Sequence, residues 1–595
     1  MARNILVSVA WPYANADPHV GNLTGAYLPA DIFARYHRLY GNKVLMVSGS
    51  DAHGTPISVR ADYEDKSPLE VYEHYHERFI ELFVNLGLTY DLFTTTHSEN
   101  HARISQSIFT RLLENGKLYT ETQPQWYSPT EGRFLPDRYV EGTCYICGYD
   151  NARGDQCDGC GNLLNATELI NPHSKIGSGA LEIRETEHYF LDLAKLTPEL
   201  STYLRADKDH WRPNVLKTAL HMVDKEGLHG RAITRDLDWG VPVPLHGWEG
   251  KCLYVWFEAV IGYLSASIEW AAAPNNGGSH VWHDWWYNPD ARSYYFIGKD
   301  NIPFHAVIWP AELAGVGKLY PDDPGDSLNL PFDIPANEFM NLESKKISGS
   351  RNWAVWGLDV VERYGPDPVR FYLTINMPES KDSDWRWAEF HQRNNDDLVA
   401  TWGNLANRIL SFAYKQFDAQ VPDPGELQTE DQQLQDEIEV GFDSVGDLLG
   451  AVKIRSALQE ALRLASQVNR YLDKQAPWFS IKTDRVQAAR STYTALWAVD
   501  SLKVLFAPFV PFSCERLHQF LGYDEPLFGE QVIDTHQESD HCHSALTYNS
   551  ESATGRWAPS DLSPGQQLRE PSPLFRKLDD SIVAEEMVRL GSDSG

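Results

Sequence analysis

The sequence predicts an α/β fold: a Rossmann-like parallel-sheet domain, interrupted by a zinc-knuckle insertion and followed by an α-helical bundle. Three observations predict it. The chain begins with two short, nearly continuous apolar runs joined by a helix-periodic segment, which indicates a βαβ unit. Four of its seven cysteines form two Cys-x-x-Cys pairs between positions 144 and 160. Residues 387–521 are helix-periodic with sparse Pro and Gly, which is typical of a bundle.

The first fifty residues contain the βαβ unit that organises the sheet. Residues 5–10 and 44–47 are its predicted buried strands, and ligands bind beyond the carboxyl ends of such strands. His19 and Asn22 flank Gly21 at the start of the intervening helix, where free backbone N–H groups attract phosphate. A GxGxxG or Walker loop is missing after the first strand, which argues against a dinucleotide or P-loop site. The pattern therefore indicates another kind of nucleotide site.

The segment from His19 to Asn22 resembles the His-x-Gly-His signature of class I aminoacyl-tRNA synthetases, in the Asn-ending form of archaeal and eukaryotic methionyl-tRNA synthetases. Residues 12–15 and 49–56 are also close to that family, and the similarity extends over roughly residues 4–590. The resemblance implies that methionine and ATP, with Mg²⁺ on the phosphates, form methionyl-adenylate. It further implies transfer of methionine to the 3′-terminal adenosine of tRNA(Met), including the initiator tRNA.

Size and charge restrict the setting of the protein. A chain of 595 residues exceeds one compact core, and it lacks both a long apolar run and an N-terminal signal. We therefore expect a multidomain, cytoplasmic monomer with no membrane contact. Acidic residues outnumber basic ones by 83 to 52, for a net charge of −31. We interpret this excess as adaptation of an archaeal-type, halophilic protein to strong ionic screening, the alternative being an ordinary solubilising surface.

Composition and motifs divide the chain into six parts. The polar segment at the end contains His541-Cys542-His543, which we expect to be a solvent-exposed coincidence rather than a metal site. The predicted parts are the first half of the catalytic domain (1–123), a connective insertion with zinc knuckles (124–233), the second half of the catalytic domain (234–325), a region that contains the loop 346–350, which resembles the second signature of the family, and that contacts the tRNA stem (326–386), a helical anticodon-binding domain (387–535), and a polar loop with the C-terminal tail (536–595).

The clustered cysteines predict one structural zinc site. Two knuckles of this spacing can bring four thiolates to the corners of a tetrahedron, which leaves no coordination position for water. Reduced free thiols are the alternative. The stretch 134–144 that leads into the first knuckle also resembles methionyl-tRNA synthetases. The predicted ligands are Cys144, Cys147, Cys157 and Cys160.

The second signature of the family, Lys-Met-Ser-Lys-Ser, corresponds here to Lys346-Ile347-Ser348-Gly349-Ser350. Cations and hydroxyls on a mobile loop suit adenylate formation, because negative charge builds on the α-phosphate and the leaving pyrophosphate. Gly349 replaces the second signature lysine, and Lys345, Lys299 or Arg351 could compensate. By resemblance the catalytic residues are His19, Asn22, Lys346, Ser348 and Ser350. The ATP-binding residues are His19, Gly21, Asn22, Lys299, Lys346 and Ser350.

One face of a predicted helix carries Trp256 and Tyr263, and this face is the candidate wall of the amino-acid pocket. Apolar residues at this spacing are usually core, but an apolar, aromatic pocket also suits a thioether. In the family, Asp51 corresponds to the carboxylate that pairs with the substrate ammonium, and Arg235 to the residue that faces its carboxylate. The methionine-binding residues implied by the resemblance are Ala10, Trp11, Tyr13, Asp51, Arg235, Trp256, Ala259, Val260, Tyr263 and His305.

Nucleic-acid recognition is expected in the helical bundle. Asn404 and Arg408 are four residues apart, stacked on one helix face, and Trp478 follows a proline in a later segment. A capping Asn, a surface Arg and a core Trp are the structural alternative. By resemblance these three residues read the CAU anticodon, since unstacked bases bind by stacking on aromatic rings and by hydrogen bonds at their edges.

Three other functions remain open. A class I synthetase for cysteine shares the signatures but would carry a zinc ion in its substrate pocket. Synthetases for Leu, Ile or Val would need a larger editing insertion than residues 124–233 supply. A tRNA-binding paralogue that has lost amino-acid activation would be consistent with Gly349.

Overall fold

The fold is described from a computed structural model that covers residues 2–136, 139–154, 157, 159–160, 164–175, 177, 179–539 and 541–591. Asp137 and Arg138, part of the stretch leading to the first knuckle, lie outside the described residues, as does the Ser350 side chain. None of the helices within these ranges is both long enough and apolar enough to cross a membrane.

The strands, in chain order, belong to one large sheet and several small ones. They are β1 (Asn4–Val9), β2 (Lys43–Ser50), β3 (Leu92–Thr95), β4 (Leu118–Ser128), β5 (Arg133–Phe134), β6 (Val140–Thr143), β7 (Ala152–Arg153), β8 (Ile170–Ser174), β9 (Glu182–Leu191), β10 (Arg231–Ala232), β11 (Thr234–Arg235), β12 (Cys252–Leu253), β13 (Arg292–Gly298), β14 (Ala336–Asn337), β15 (Met340–Leu342), β16 (Lys345–Lys346), β17 (Ser383–Trp385), β18 (Glu530–Gln537) and β19 (Cys542–Asn549).

The helices cover both faces of the large sheet and then form the bundle. They are α1 (Val20–Asn22), α2 (Leu28–Leu39), α3 (Thr55–Glu64), α4 (Pro68–Leu86), α5 (Glu99–Glu114), α6 (Leu193–Arg205), α7 (Pro213–His221), α8 (Val255–Ala272), α9 (His283–Trp286), α10 (Trp309–Val316), α11 (Gly357–Tyr364), α12 (Pro366–Ile375), α13 (Trp387–Arg393), α14 (Asn404–Gln416), α15 (Thr429–Gly450), α16 (Ile454–Gln475), α17 (Pro477–Ser480), α18 (Arg485–Phe506), α19 (Pro511–Phe520) and α20 (Ser581–Arg589).

The large sheet has the strand order β14-β13-β1-β2-β3-β19-β18, and its first five strands are parallel. The apolar run of β1 is explained by burial on both sides. Val7 and its alternate neighbours pack into one core with α2, α4 and the bundle, whereas Leu6 packs into a second core with α5, α8 and α10. The predicted α/β class is confirmed, and the strand ends that should bind ligand lie between these two helical layers.

The C-terminal part of the sheet differs from the prediction. Residues 536–595 were expected to be a polar loop and tail, but β18 and β19 form a hairpin, and β19 adds antiparallel to β3 at Leu546 and Phe93. Only a few β19 side chains, including Ala545 and Leu546, are fully buried. A strand whose buried residues are separated by polar ones lacks the continuous apolar run used to detect β1. The loop prediction is therefore wrong for Cys542–Asn549.

The insertion is built on a long antiparallel ladder between β4 and β9, which runs from Leu118 opposite Leu191 to Tyr127 opposite Glu182. A small sheet of order β7-β6-β8 carries the first cysteine knuckle. Its own core includes Cys144 and Cys157. The cysteine cluster therefore lies in a separate packing unit from the large sheet.

The bundle packs on the sheet through buried apolar and ionic contacts. Leu398, Trp402, Leu405 and Ile409 follow one another at helical spacing and are fully buried, whereas Phe412 at the end of this stripe is half-buried. Arg370 of α12 donates to Asp31 of α2 at 2.7 Å, and both side chains are completely buried. Its guanidinium also donates to backbone carbonyls at Leu86 and Phe509. A buried charge without its partner costs about 3–5 kcal/mol. Arg370 is therefore held by Asp31 where it can also bind the Phe509 carbonyl, and it links α2 to the bundle.

Candidate active site

A cavity of about 600 Å³ opens at the carboxyl ends of β1, β2 and β13, where a parallel sheet binds ligands. Segments that are far apart in the sequence meet here. The cavity also has lining residues that the sequence did not predict, including Trp356, Phe304 and Asp300. The predicted residues that line it are Ala10, Trp11, Tyr13, His19, Gly21, Asn22, Asp51, Trp256, Ala259, Val260, Tyr263, His305 and Lys346.

The first signature segment, residues 19–22, is a capping box at the start of a helix. His19 Nδ1 accepts from the Gly21 N–H at 3.1 Å, and Asn22 Oδ1 accepts from the His19 N–H at 3.0 Å. Burial lowers the pKa of His19 to about 4, so the ring is neutral near pH 7. Since Nδ1 is an acceptor, the ring proton resides on Nε2. His19 can therefore donate one hydrogen bond to an anion at the helix N-terminus.

The apolar end of the cavity is formed by aromatic rings with little freedom to move. The Trp11 indole lies against two glycines, since a Cβ at Gly49 or Gly262 would approach its ring to 2.1 or 2.5 Å. Tyr263 packs edge-on against Trp11 with ring centroids 6.3 Å apart. Both glycines are thus required by the indole, and the slot beside it is apolar and aromatic, which suits a sulfur-containing side chain.

His305 fixes the hydroxyl of Tyr263 at this end of the cavity. Its Nδ1 lies 3.0 Å from the Asn301 carbonyl, and its Nε2 lies 2.7 Å from Tyr263 Oη. Burial lowers the pKa of His305 to about 4. A neutral ring beside a carbonyl carries its proton on Nδ1, so Nε2 accepts the Tyr263 hydroxyl proton. The orientation of that hydroxyl is consequently set by the protein.

Asp51 provides a carboxylate at the rim of the aromatic slot. Its side chain is only 3% exposed, and the His53 N–H donates to Oδ1 over a long 3.4 Å. Burial and the nearby Glu258 carboxylate raise the pKa of Asp51 well above its ordinary value. A cationic group bound next to Asp51 would favour the ionised carboxylate. The site is therefore suited to an ammonium group.

A buried cluster that the sequence analysis missed supports the slot from behind. Glu258 of α8 accepts from His53 Nδ1 at 3.0 Å and from His101 Nε2. Burial alone would raise the pKa of Glu258, but the two imidazoles lower it to about 2. One signal was present in the sequence, because Glu258 is flanked by apolar residues in α8 and a buried acid requires a partner. The cluster joins α8 to α5 and to the segment that follows β2.

The second-signature loop, residues 346–350, differs from the first signature in presenting exposed residues, Lys346 and Gly349. Lys346 lies at the end of a short hairpin whose turn residues, Glu343 and Ser344, have left-handed φ values of 47° and 64°. The loop nevertheless reaches the first signature, since a Cβ at Gly21 would approach Ile347 Cδ1 to 3.2 Å. A Cβ at Gly349 would lie 3.1 Å from the Trp356 ring.

Three predicted residues do not line the cavity. Lys299 pairs with Glu338 at 2.7 Å and with Asp382 at 2.8 Å. Ser348 donates its backbone N–H to the Trp353 carbonyl at 2.9 Å. Arg235 packs its guanidinium 4.2 Å from the Tyr254 ring centroid and lines a smaller cavity in the insertion. Their assigned roles stay predictions, as does that of Ser350.

The four cysteines fit a zinc site. Their Sγ atoms all lie within 4.8 Å of one another, and Cys147 Sγ is 3.6 Å from Cys157 Sγ. Zn–S bonds of about 2.3 Å in a tetrahedron require S···S separations of about 3.8 Å. Backbone N–H groups of Ile146 and Gly159 point at Cys144 Sγ and Cys157 Sγ, as suits thiolates.

In the bundle, the residues predicted to bind nucleic acid lie near each other. Asn404 is exposed, and Arg408, one turn later on α14, is 40% exposed. The Arg408 guanidinium lies 4.8 Å from the centroid of the half-buried Trp478 ring. Ala476 has a left-handed φ of 38°, which turns the chain between α16 and α17 and presents Trp478 beside α14.

Family models match almost the whole of this arrangement. Residues 5–410 match the model described as tRNA synthetases class I (M), and residues 421–550 match the anticodon binding domain of methionyl tRNA ligase. The chain belongs to the methionyl-tRNA synthetase family. The second match ends after β19, so the family's anticodon-binding region includes this strand, which was expected to be part of a polar loop.

Individual relatives in the methionyl-tRNA synthetase family span the full chain. The methionine–tRNA ligases of Thermomicrobium roseum and Roseiflexus sp. strain RS-1 are each 53% identical to this chain. The first alignment covers 100% of this chain and 100% of the relative, and the second covers 99% of each. The solved structure of Mycobacterium tuberculosis methionyl-tRNA synthetase with methionyl-adenylate has a TM-score of 0.75 and 26% identity, covering 96% of this chain and 99% of that one. These relatives are bacterial and give no support to the expected archaeal-type, halophilic origin.

Proposed function

We propose that this chain is a methionine–tRNA ligase that forms methionyl-adenylate in the 600 Å³ cavity and transfers methionine to the 3′-terminal adenosine of tRNA(Met), including the initiator tRNA. The observation that carries the proposal is one cavity that combines the His19 helix N-terminus, the Asp51 carboxylate and the slot between Trp11 and Tyr263. The relatives that are named methionine–tRNA ligases, at 53% identity over the whole chain, support the same activity.

The first step would be displacement at the α-phosphorus of ATP. The methionine carboxylate oxygen forms a bond to phosphorus while the bond to pyrophosphate breaks, so negative charge develops on the phosphoryl oxygens. His19 Nε2–H and the Lys346 ammonium would stabilise that charge, while Asp51 would hold the substrate ammonium. A terminal adenosine hydroxyl then attacks the mixed anhydride and releases AMP. A protein nucleophile is unnecessary, so catalysis consists of positioning and electrostatics.

The remaining predicted residues enter the same proposal. Lys299, Ser348 and Ser350 are proposed to act on ATP after the exposed second-signature loop closes, since adenylate synthesis needs donors around both phosphate ends. Mg²⁺ would accompany the phosphates. Arg235 is proposed to face the methionine carboxylate, and the four-cysteine cluster is proposed to hold one structural zinc. We also propose that the protein works as a cytoplasmic monomer and keep the domain division, except that β18 and β19 join the catalytic sheet.

Amino-acid-dependent exchange of labelled pyrophosphate into ATP tests the activity. We expect exchange with methionine and none with cysteine, leucine, isoleucine or valine. Exchange with another amino acid would assign a different synthetase. Absence of exchange with every amino acid, in a preparation that still binds tRNA, would identify an inactive tRNA-binding paralogue.

We propose that Asn404, Arg408 and Trp478 read the anticodon. The stacked Arg408–Trp478 pair supports this role, since a planar cation and an indole together offer an exposed stacking surface. Asn404 on the same helix face adds amide groups that can bind base edges.

Replacement of Trp478 by alanine separates anticodon binding from chemistry. Trp478→Ala should lower kcat/KM for tRNA by about 10- to 100-fold, because stacking on one base contributes about 1–3 kcal/mol. Pyrophosphate exchange should change less than twofold. Val440→Ala, an exposed apolar position in the same bundle, is the control and should leave both rates unchanged. Equal loss of exchange and charging in Trp478→Ala would contradict the assignment.

A further inference from the structure

Helix α8 contains two charged residues, Glu258 and Glu269, both acidic, and they lie on nearly the same helix face because eleven residues make about three turns. Glu258 belongs to the cluster behind the methionine slot. Glu269 lies at the other end of the helix, against the hairpin formed by β18 and β19. Its environment is not explained by the proposed activity.

Three side chains converge at Glu269. His536 on β18 and His543 on β19 are direct cross-strand partners, and their ring centroids are 5.3 Å apart. His536 Nδ1 lies 3.2 Å from Glu269 Oε1, and His543 Nε2 lies 3.9 Å from the same oxygen. One ligand atom from each of the three residues lies within 4.8 Å of the other two.

These separations differ from those at Glu258. There, His53 is at hydrogen-bond distance from one carboxylate oxygen and His101 from the other. At Glu269, one oxygen faces both imidazoles, and the 3.9 Å separation from His543 is too long for a hydrogen bond. Two ligands that are each 2.0–2.1 Å from a tetrahedral cation are about 3.3 Å apart. The two nitrogen–oxygen separations at Glu269 bracket that value.

The surroundings of His543 also match those of a metal ligand. Its side chain is only 2% exposed, and its Nδ1 makes no hydrogen bond within the described part of the chain. Nδ1 faces Glu538 Oε1 at 3.6 Å, whereas Nε2 faces Glu269 Oε1 at 3.9 Å and the Thr94 hydroxyl oxygen at 3.3 Å. A metal-bound imidazole usually turns its second nitrogen towards a carboxylate or carbonyl in this way. The Thr94 hydroxyl donates to Glu269 Oε1 at 2.8 Å and orients the carboxylate.

We propose that Glu269 Oε1, His536 Nδ1 and His543 Nε2 bind a divalent transition cation of the zinc type, at a site separate from the four cysteines. Two imidazoles and one carboxylate form a donor set that such cations prefer, and three protein ligands leave a position for water. The His536 side chain is 34% exposed, which gives the cation access from solvent. The exposed coincidence expected for the His541-Cys542-His543 motif is thus wrong for His543, whose ring is buried.

The proposed cation would join the C-terminal hairpin to the helix that carries Trp256, Ala259 and Tyr263. The hairpin is at the edge of the large sheet, where β19 pairs with β3. A single cation bridging β18, β19 and α8 would therefore fix the sheet edge against the wall of the substrate cavity.

Metal content of the full-length protein tests the site. After equilibration with Zn²⁺ alone and removal of unbound metal, the wild type should contain one equivalent more zinc than His536→Gln or Glu269→Gln. His246→Gln, at an exposed histidine in another loop, is the matched control and should retain the wild-type content. Equal zinc in the wild type and both ligand variants would overturn the proposal.

Cobalt substitution provides a measurement that needs no variant. Thiolate ligands give Co²⁺ an intense sulfur-to-metal charge-transfer band, which a histidine and carboxylate site lacks. Titration of the wild type with Co²⁺ should show a second binding phase with ligand-field absorption and no charge-transfer intensity. A single thiolate phase would overturn the proposal and assign His536 and Glu269 to a plain ion pair, even if the substituted proteins failed to fold.

Discussion

The two signature segments of the cavity are built in opposite ways. Residues 19–22 form a capping box in which His19 and Asn22 hold each other's backbone, and a neutral imidazole is fixed by burial. Residues 346–350 begin at the last residue of the β15–β16 hairpin, which has two consecutive left-handed residues, Glu343 and Ser344, at its turn. The donor of the first segment is fixed by hydrogen bonds and burial, whereas the second segment presents an exposed cation, Lys346, to the same cavity.

The difference separates two contributions to adenylate formation. A donor fixed before the substrate arrives costs no reorganisation during the reaction, which makes electrostatic stabilisation effective. A cation on a loop contributes when the loop closes, and closure also excludes water. The two segments meet where the Ile347 side chain approaches Gly21, since a Cβ at Gly21 would lie 3.2 Å from Ile347 Cδ1. Substitutions in each segment should therefore affect rate and stability differently.

The largest effect is expected at His19. His19→Asn should keep the helix cap, since Asn is a favoured N-cap residue, but it removes the Nε2–H donor. Pyrophosphate exchange should fall by about 10³-fold, the upper range for loss of one fixed donor to a developing oxyanion. His19→Ala should lose the helix cap as well, and its free energy of unfolding should be about 1 kcal/mol lower than that of the wild type. Wild-type exchange in His19→Asn would show that the ring acts only as a cap.

Replacement of Lys346 should have a somewhat smaller effect, confined to the rate. Lys346→Ala should lower kcat for exchange by about 10²-fold, because one of several charge-stabilising groups is lost. KM for methionine and the melting temperature should be unchanged, since the side chain is exposed.

The neighbouring lysine provides a matched control for Lys346. The Lys345 ammonium lies 4.6 Å from the Trp353 ring centroid, directed away from Lys346 by the strand alternation of β16. Lys345→Ala should change the exchange rate by less than about threefold. Similar losses in both variants would mean that the two cations share the role.

The sequence predicted those groups of residues that are close together along the chain, and it missed those that only the folded chain brings together. His19–Asn22 and the Cys-x-x-Cys pairs are defined by spacings of three residues, and the structure reproduces both groupings. The Glu258 cluster was missed because its imidazoles come from positions 53 and 101, and only the folded sheet brings them to α8. Trp356 was missed for the same reason. It lines the cavity beside His19 because the backbones of these two residues pair in the folded chain.

A smaller, pH-dependent effect is expected at Asp51. Because burial and Glu258 raise the pKa of Asp51, the native protein binds more protons than the unfolded chain between the ordinary carboxyl pKa and the raised one. The free energy of unfolding should therefore fall as pH rises through that window. Methionine binding should show the opposite trend, strengthening by at most about tenfold per pH unit, because the substrate ammonium requires the ionised carboxylate.

Calorimetry can measure the proton linkage of Asp51 directly. Methionine titrated into the free protein should release protons, detected as a binding enthalpy that varies with the ionisation enthalpy of the buffer. Asp51→Asn should bind methionine weakly and without that variation, and its stability should depend less on pH. A buffer-independent enthalpy in the wild type at every pH would contradict the proposed pairing with an ammonium.

The smallest effect is expected where the loop departs from its family, at Gly349. A Cβ here would lie 3.1 Å from the Trp356 ring, so Gly349→Lys requires a shift of a few tenths of an ångström and costs about 1 kcal/mol. The added ammonium would act on a loop that already presents Lys346, and the rate of pyrophosphate exchange should rise by less than about tenfold. Gly349→Ala makes the same contact with Trp356 without the charge and isolates the packing cost. A hundredfold gain in exchange rate in Gly349→Lys alone would mean that the natural loop lacks a cation that its chemistry needs. Equal losses of exchange rate in both variants would mean that the glycine is required for the close approach to Trp356.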